Sequence, residues 1–467
     1  MAPVRGDVGI GAPRLGWRGR AADAWRAAAC AVASVAGVMS AQGAAPEIAW
    51  EPPLEIATGA AERGPWRMNE SRFLHVDDPT VAVDGAGGIA VAWADQAERN
   101  LYFQRFAADG RPRLEAPVDV SRSGDVFSWL PRLALAGEGG ELVYLLWQEI
   151  VFSGGTHGGE IYFARSIDGG RSFSAPRNLS QTRAGAGKGR LSRHHWSNGS
   201  LDLALGPRGE VYAAWTEYEG PLRFSRSTDG GETFSAPLHV AGGEHLFPAR
   251  GPSLAAGPDG TIYLAWTIGE DARAGIHVAR STDGGRSFGA SRVVAAGPGH
   301  ADAPQLAVSS AHLHLVYAES PDGPLRRYRV RHARARLEDV PPRFAAPVTI
   351  AAGEDLASVA FPALAVDGDD HLYVLWERFP QAGGRPHGLG YATSGDDGAS
   401  FSPAAVVPGS DDPMLGVNGS LQGLLMRKIA VDPAGRLAVV NSSYADGVAS
   451  RIRLYRGRRR RVQLFNR

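Results

Sequence analysis

The stretch Ser166-Ile167-Asp168-Gly169-Gly170-Arg171-Ser172-Phe173 returns three times, as Ser227-Thr228-Asp229-Gly230-Gly231-Glu232-Thr233-Phe234, Ser281-Thr282-Asp283-Gly284-Gly285-Arg286-Ser287-Phe288 and Ser394-Gly395-Asp396-Asp397-Gly398-Ala399-Ser400-Phe401. Its chemistry is local. An Asp side chain accepts hydrogen bonds from nearby backbone amides, Gly takes positive φ, and the terminal aromatic is free to pack on a neighbouring unit. The steps between copies are 61, 54 and 113 residues. The last is near twice the others, so one unit between has lost its turn, and the degenerate stretch 327–346 is that unit.

Working outward, each copy sits inside a larger repeat. A short apolar strand leads through a turn to a second strand that usually ends in Trp: 81–83 to Trp93, 133–135 to Trp147, 203–205 to Trp215, 254–256 to Trp266, 306–308 to Tyr317, 364–366 to Trp376, and 429–431 to Asn441. A third strand, a tight turn and a fourth strand follow. Fourth strands begin near Leu54, Val118, Arg177, Leu238, Arg292, Val348 and Ala404. The first of these precedes any complete unit, and the last unit lacks one. The economical solution is an all-β ring of seven four-stranded blades, a β-propeller, closed by pairing residues 50–56 with the C-terminal three strands so that no edge is left open. Residues 462–465 compete for that place, and six blades plus a stray repeat is the alternative.

Composition agrees with many short strands. Gly 60 and Pro 31 in 467 residues disfavour helices, while 44% hydrophobic residues supply a core. Lys+Arg 49 against Asp+Glu 49 leaves no broad basic surface, which excludes a general nucleic-acid binder. The one cysteine, Cys30, lies in an apolar run at 27–41 that follows Arg14, Arg18, Arg20 and Arg26 and precedes small residues at 41–45. This reads as a secretory signal peptide over 1–45, too short for a stable membrane span. A disordered leader on a cytosolic protein is a second reading, and a lipoprotein through Cys30 a third, though only three alanines separate that cysteine from Arg26. The expectation is a single domain over 46–467 with a short Arg-rich C-terminal tail, secreted or periplasmic and free of disulfides.

The four turns in phase resemble the Asp-box, or BNR, repeats of the sialidase superfamily, over residues 50–467. That resemblance implies that Asp168, Asp229, Asp283 and Asp396 serve structure on the face opposite the active site. It also implies a clamp of three arginines for a substrate carboxylate, an Asp acid/base and a Tyr nucleophile activated by Glu; a guanidinium fork matches a carboxylate bidentately. The family's opening Arg-Ile-Pro-x-Leu strand has an acid in the first unit here, Asp77-Asp78-Pro79-Thr80-Val81. Its nearest match is Arg250-Gly251-Pro252-Ser253-Leu254 in the fourth. Arg250 as clamp and Asp271 as proton donor form one candidate pair; Arg378 and Arg193 are candidates to complete the clamp, and Tyr218 beside Glu217, or Tyr444, is the candidate nucleophile.

Loops from second to third and from fourth to first strands share the face around the channel mouth. Acids recur there at Asp95, Glu149, Glu217, Glu270, Glu319 and Glu377, either capping strands and pairing with arginines or lining a sugar or cation site. Arg132 and its counterparts at the first-strand starts either bridge blades or bind a ligand. The insertion at 181–200 carries Arg190, Arg193, His194, His195 and Trp196, which suit a surface loop or a sugar contact; no third metal ligand stands at metal spacing, and Gly187-Lys188-Gly189-Arg190 lacks the phosphate-loop pattern. The C-terminal run at 456–461 reads as a solvated tail or a weak anionic-surface contact. Two functions follow. One is a propeller binding a glycan or cell-envelope component at the mouth through Arg132, Arg193, His195, Trp196 and Glu270. The other is a sialidase-type glycoside hydrolase using Arg250, Asp271, Arg378, Glu217 and Tyr218. Neither calls for a cofactor or a metal.

Overall fold

The structure is a computed structural model that describes residues 45–151, 159–182, 185–192, 195–198, 200–218, 220–243, 247–269, 274–295, 299–324, 326–355, 357–412, 414, 417–418, 427–445 and 447–460. It is a seven-bladed β-propeller. The chain opens with β1 (Ile48–Trp50) and β2 (Leu54–Gly59). Blade 1 is β3 (Val76–Val83), β4 (Ile89–Asp95), β5 (Asn100–Phe106) and β6 (Val118–Asp119); blade 2 is β7 (Ser128–Ala136), β8 (Leu142–Glu149), β9 (Glu160–Ser166) and β10 (Arg177–Asn178). The insertion forms a separate hairpin, β11 (Lys188–Ser192) with β12 (His195–Asn198). Blade 3 is β13 (Leu201–Leu205), β14 (Val211–Thr216), β15 (Leu222–Ser227) and β16 (Leu238–Ala241). Blade 4 is β17 (Ala249–Ala256), β18 (Ile262–Ile268), β19 (Gly275–Ser281) and β20 (Arg292–Ala295). Blade 5 is β21 (His300–Val308), β22 (His312–Ser320), β23 (Arg329–Arg336) and β24 (Val348–Ala352). Blade 6 is β25 (Ser358–Val366), β26 (Leu372–Phe379), β27 (Leu389–Ser394) and β28 (Ala405–Val406). Beyond β29 (Val417–Asn418), blade 7 is β30 (Ile429–Val431), β31 (Arg436–Ala445) and β32 (Val448–Arg459).

The ring closes as the repeat count requires. Ile48↔Arg459 and Leu54↔Leu454 place β1 and β2 antiparallel to β32, supplying the fourth strand of blade 7 from the opposite end of the chain. The arginine run enters the fold as far as Arg459: Arg456 pairs with Glu51 at 2.9 Å, and Arg459 reaches Asp367 at 3.2 Å. The first pair stitches the closure seam, and the second ties blade 7 to blade 6. Residues 462–465 and the leader segment lie outside the described residues. Among the described residues, no helix is long and apolar enough to cross a membrane.

Six of the seven inner strands carry an alanine between two larger apolar residues, as in Leu133-Ala134-Leu135; blade 4 has Leu254-Ala255-Ala256. Val81, Ala82, Leu133, Ala134, Ala365 and Ala430 are among the residues lining a channel of about 250 Å³ where the inner strands converge. The Trp positions fill the interblade layers. Trp147, Trp215 and Trp376 are fully buried, each worth roughly 4–6 kcal/mol of gross apolar burial.

The recurring turns build themselves. Ser166 Oγ donates to Asp168 Oδ1 (2.7 Å) and accepts from the Gly170 amide (2.9 Å), while Asp168 accepts from the Ser172 amide (3.0 Å) and hydroxyl (2.6 Å). The turns at Asp229, Asp283 and Asp396 repeat this network. Gly170 has φ +88° and lies against Phe103 of the preceding blade, closer than a Cβ would allow. Because Val143↔Ser166 pairs one end of β8 with the end of β9, these turns share a face with the first-to-second strand turns. Ser128, Glu149 and Glu160 meet in register at the other end, the mouth face.

Candidate functional site at the channel mouth

The inner strands enter the mouth through one repeated device. In blades 1, 2, 4, 5 and 6 a register shift falls at a residue of positive φ followed by proline: Asp78 (φ 52°), Leu130 (59°), Gly251 (60°), Ala303 (56°) and Phe361 (53°). Four of the five are not glycine. A non-glycine residue in this region stores strain, and the proline behind it favours extended backbone, so the surrounding fold imposes the bulge. The Arg-Gly-Pro motif at Arg250 is thus one copy of a five-fold structural pattern.

The bulges place charges at corresponding points on neighbouring blades. Arg250 Nη1 lies 2.6 Å from Asp302 Oδ1, and Thr267 Oγ1 donates to the same oxygen at 3.0 Å. Burial alone would raise the Asp302 carboxyl, but Arg250 and His300 hold it well below the usual carboxylate range. Nearer the axis, Arg427 grips Asp202 with two bonds of 3.0 and 2.8 Å, and Arg132 stands 3.8 Å from the same carboxylate. Burial lowers the fully enclosed Arg132 guanidinium to about 10 against the pull of Asp202. Arg378, half-exposed on blade 6, faces Asp411 at 3.7 Å. Arg250 and Arg378 therefore attend different carboxylates, and Arg132 and Arg427 share a third.

The mouth acids are also engaged. Glu217 pairs with Arg223 at 3.1 Å in the turn that carries Tyr218, whose amide donates to the Gly185 carbonyl at 2.8 Å. Glu319 pairs with Arg329, and buried Glu377 with buried Lys428. Glu149 differs. Among the described residues its carboxylate accepts one hydrogen bond, from the Trp147 indole N–H at 3.0 Å, and burial pushes it up to about 7. Of the remaining candidates, His195 and Trp196 fall on β12 opposite Ser192 and Arg190, whereas Arg193, Glu270 and Asp271 lie outside the described residues. Among the described residues no group of three or more His, Cys, Asp or Glu side chains could hold a metal ion.

An open surface lies where blades 7, 1 and 2 meet. Residues 60–75 cross this face, anchored when Asn69 donates to the Ile150 carbonyl (2.8 Å) and accepts from the Phe127 amide (3.1 Å). Trp66, 49% exposed, stacks 6.1 Å from Phe73 and lies 5.4 Å from Trp129, whose indole N–H donates to Gln96 at 2.6 Å. Beneath it, His75 is buried between Phe73 and Tyr444; neither ring nitrogen has a hydrogen-bond partner among the described residues, and burial lowers its pKa. Three guanidinium groups rim the aromatics: Arg63 over Phe73, Arg99 over Phe127 and Arg385 over Tyr444, at 5.5, 5.3 and 5.9 Å. None has an ion-pair partner among the described residues. The repeat pattern gives no sign of this cluster, since residues 60–75 lie outside it; the aromatic density of Trp66, Phe73, Phe127 and Trp129 was the available signal.

No family model matches the sequence, and none of the curated proteins matches it either. Solved structures do. An ulvan lyase of a polysaccharide lyase family aligns with a TM-score of 0.52 at 11% identity, over 86% of this chain and 95% of that one. A leech intramolecular trans-sialidase aligns at 0.46 and 10% identity over 71% and 67%, and an α-L-arabinofuranosidase of Fusarium graminearum at 0.44 and 15% over 70% and 92%. At such identities the likeness is one of fold.

Proposed function

We propose that this chain is an exported, sialidase-like propeller of the Asp-box type that binds a glycan on its mouth face, where blades 7, 1 and 2 meet. The observation that carries the reading is Trp66. Half of its indole faces solvent while the ring packs on Phe73, Phe127 and Trp129. A preorganised aromatic plane offers a sugar ring contact area at little ordering cost. The guanidiniums of Arg63, Arg99 and Arg385, which have no carboxylate partner among the described residues, suit carboxylate or sulfate groups on that glycan. A glycan-bearing envelope component is the matching partner for an exported protein.

The sialidase-type hydrolase remains the second reading, resting on Tyr218 and Glu217 in one mouth turn. It ranks behind because Arg250 and Arg378, two of its clamp candidates, attend separate carboxylates. Titration of the intact chain with neutral and acidic oligosaccharides tests the first reading. Trp66→Ala is expected to weaken binding at least about tenfold, a loss of one stacking contact, while Ile167→Ser on the opposite face leaves it unchanged. Equal binding by both variants defeats it. Release of a fluorescent aglycone from a sialoside, lost in Tyr218→Phe, would favour the hydrolase instead.

A further inference from the structure

Neighbouring blades meet on the turn face through a repeated aromatic contact, and one copy of it is built from histidines. Between blades 2 and 3, Tyr144 stacks 6.3 Å from Phe163, which meets Phe234 edge-on at 4.8 Å. Between blades 3 and 4, Tyr212, Phe224 and Phe288 repeat this at 5.9 and 5.0 Å. Between blades 5 and 6 the same places hold His314, His332 and Phe401, at 5.4 and 5.0 Å. Gly398 comes as close to His332 as Gly231 does to Phe163 and Gly285 to Phe224.

Rings that only pack elsewhere are hydrogen-bonded here. His314 Nε2 lies 2.9 Å from Asp397 Oδ1 and 3.1 Å from Ser309 Oγ; its Nδ1 lies 3.2 Å from His332 Nε2; His312 Nδ1 lies 2.5 Å from Asp397 Oδ2. A carboxylate only accepts, so His314 presents its Nε2–H to Asp397, and its Nδ1 lone pair accepts from His332 Nε2–H. Two protonated rings would set N–H against N–H across that contact, so the pair holds at most one added proton. The groups facing it are His312 from β22, Arg334 from β23 and Asp397 from the turn after β27. Arg334 is bonded to the Asp397 carbonyl, Asp396 to Ser394 and Ser400, and Asp370 from the turn after β25 to Ser310. Among the described residues Asp397 is the one carboxylate in contact with the pair, and it is shared with His312.

We propose that the His314–His332–Asp397 cluster is an acid-sensitive latch, which lets the seam between blades 5 and 6 open on acidification while the all-aromatic seams stay shut. Burial holds both imidazoles below the usual histidine range, His332 at about 3. An opened seam restores ordinary histidine behaviour, so opening takes up protons and becomes easier as pH falls through 6.5.

Hydrogen exchange of the intact chain, corrected for intrinsic rates, tests this between pH 7.5 and 5.5. Protection in 329–336 and 394–401 is expected to drop at least about tenfold, roughly one decade for each histidine that regains its ordinary value, while 160–166 and 227–234 change less than about twofold. In the double variant His314→Tyr/His332→Phe, which copies the seam of blades 2 and 3, the acid response disappears. A uniform response across the wild-type seams overturns the proposal without need of the variant, and so does a variant that folds and keeps the wild-type response.

Discussion

Arg250 and Asp302 occupy corresponding bulge positions on the inner strands of blades 4 and 5, and their 2.6 Å ion pair ties one blade to the next. The guanidinium is buried and its partner nearly so, which makes the pair costly to break by halves. Arg250→Ala leaves Asp302 in place without its cation and is expected to cost about 3–5 kcal/mol, whereas Arg250→Met/Asp302→Leu recovers most of that loss. Because the Asp302 pKa is depressed in the folded state, its contribution is present above the ordinary Asp value and lost as pH falls through the folded one. Urea unfolding at pH 7 and pH 3 measures both. A single variant as stable as wild type would show that the pair does not hold the blades.

The Ser-x-Asp turns make a separate prediction. Asp396 accepts from Ser394 Oγ, the Ser400 amide and Ser400 Oγ at 2.8, 2.8 and 2.6 Å, all within its own hairpin. Asp396→Ala is expected to lower stability by about 2 kcal/mol through the orphaned donors and to leave glycan affinity unchanged. Lost affinity at unchanged stability would give these aspartates a functional part.

The seven-fold phase was legible in the sequence because its signals are local. Trp93, Trp147, Trp215, Trp266 and Trp376 recur at strand ends, and each turn completes its chemistry within eight residues. Closure followed from the unpartnered segment at 50–56. The mouth was not legible for the opposite reason. The carboxylate that engages Arg250 stands 52 residues on, a full repeat away, so a motif read within one unit could not reveal it. Taken alone, Arg250-Gly251-Pro252 resembled a clamp; beside Asp78-Pro79, Leu130-Pro131, Ala303-Pro304 and Phe361-Pro362 it becomes a bulge. Trp66 belongs to no repeat, and its partners Phe127 and Trp129 come from the next blade. His332 stands at the register of Phe163 and Phe224, a correspondence that only the aligned third strands expose.

Glu149 sets an alkaline limit. Burial raises its carboxyl to about 7 from an ordinary 4.5, so the folded state favours the protonated form. Its contribution is full below pH 4.5 and lost as pH rises through 7, a change of about 3 kcal/mol. Glu149→Gln keeps an acceptor for the Trp147 indole and has no charge to bury. The variant is expected to match wild type near pH 4 and to exceed it at pH 8.5, as read from unfolding midpoints. Equal stability at both pH values would mean that Glu149 is ionised at no cost.

The bulges themselves can be tested by exchanging the residues that tolerate positive φ. Ala303, buried at φ 56°, pays strain that glycine would not. Ala303→Gly relieves about 1–2 kcal/mol of left-handed strain, but it gives up a buried methyl worth about 0.8 kcal/mol and loosens the unfolded chain by about 0.4–1 kcal/mol. These terms nearly cancel, so its unfolding midpoint should stay close to wild type. Gly251→Ala runs the other way, and a modest loss of about 1 kcal/mol is expected there. Ala303→Val decides the matter. A β-branched side chain is strongly disfavoured at positive φ, and this site is fully buried, so a cost above about 2 kcal/mol is expected. If valine were accepted at both 303 and 251 without loss, the inner strands would be free to relax out of the bulge, and the fixed spacing of Arg250 and Asp302 would need another cause.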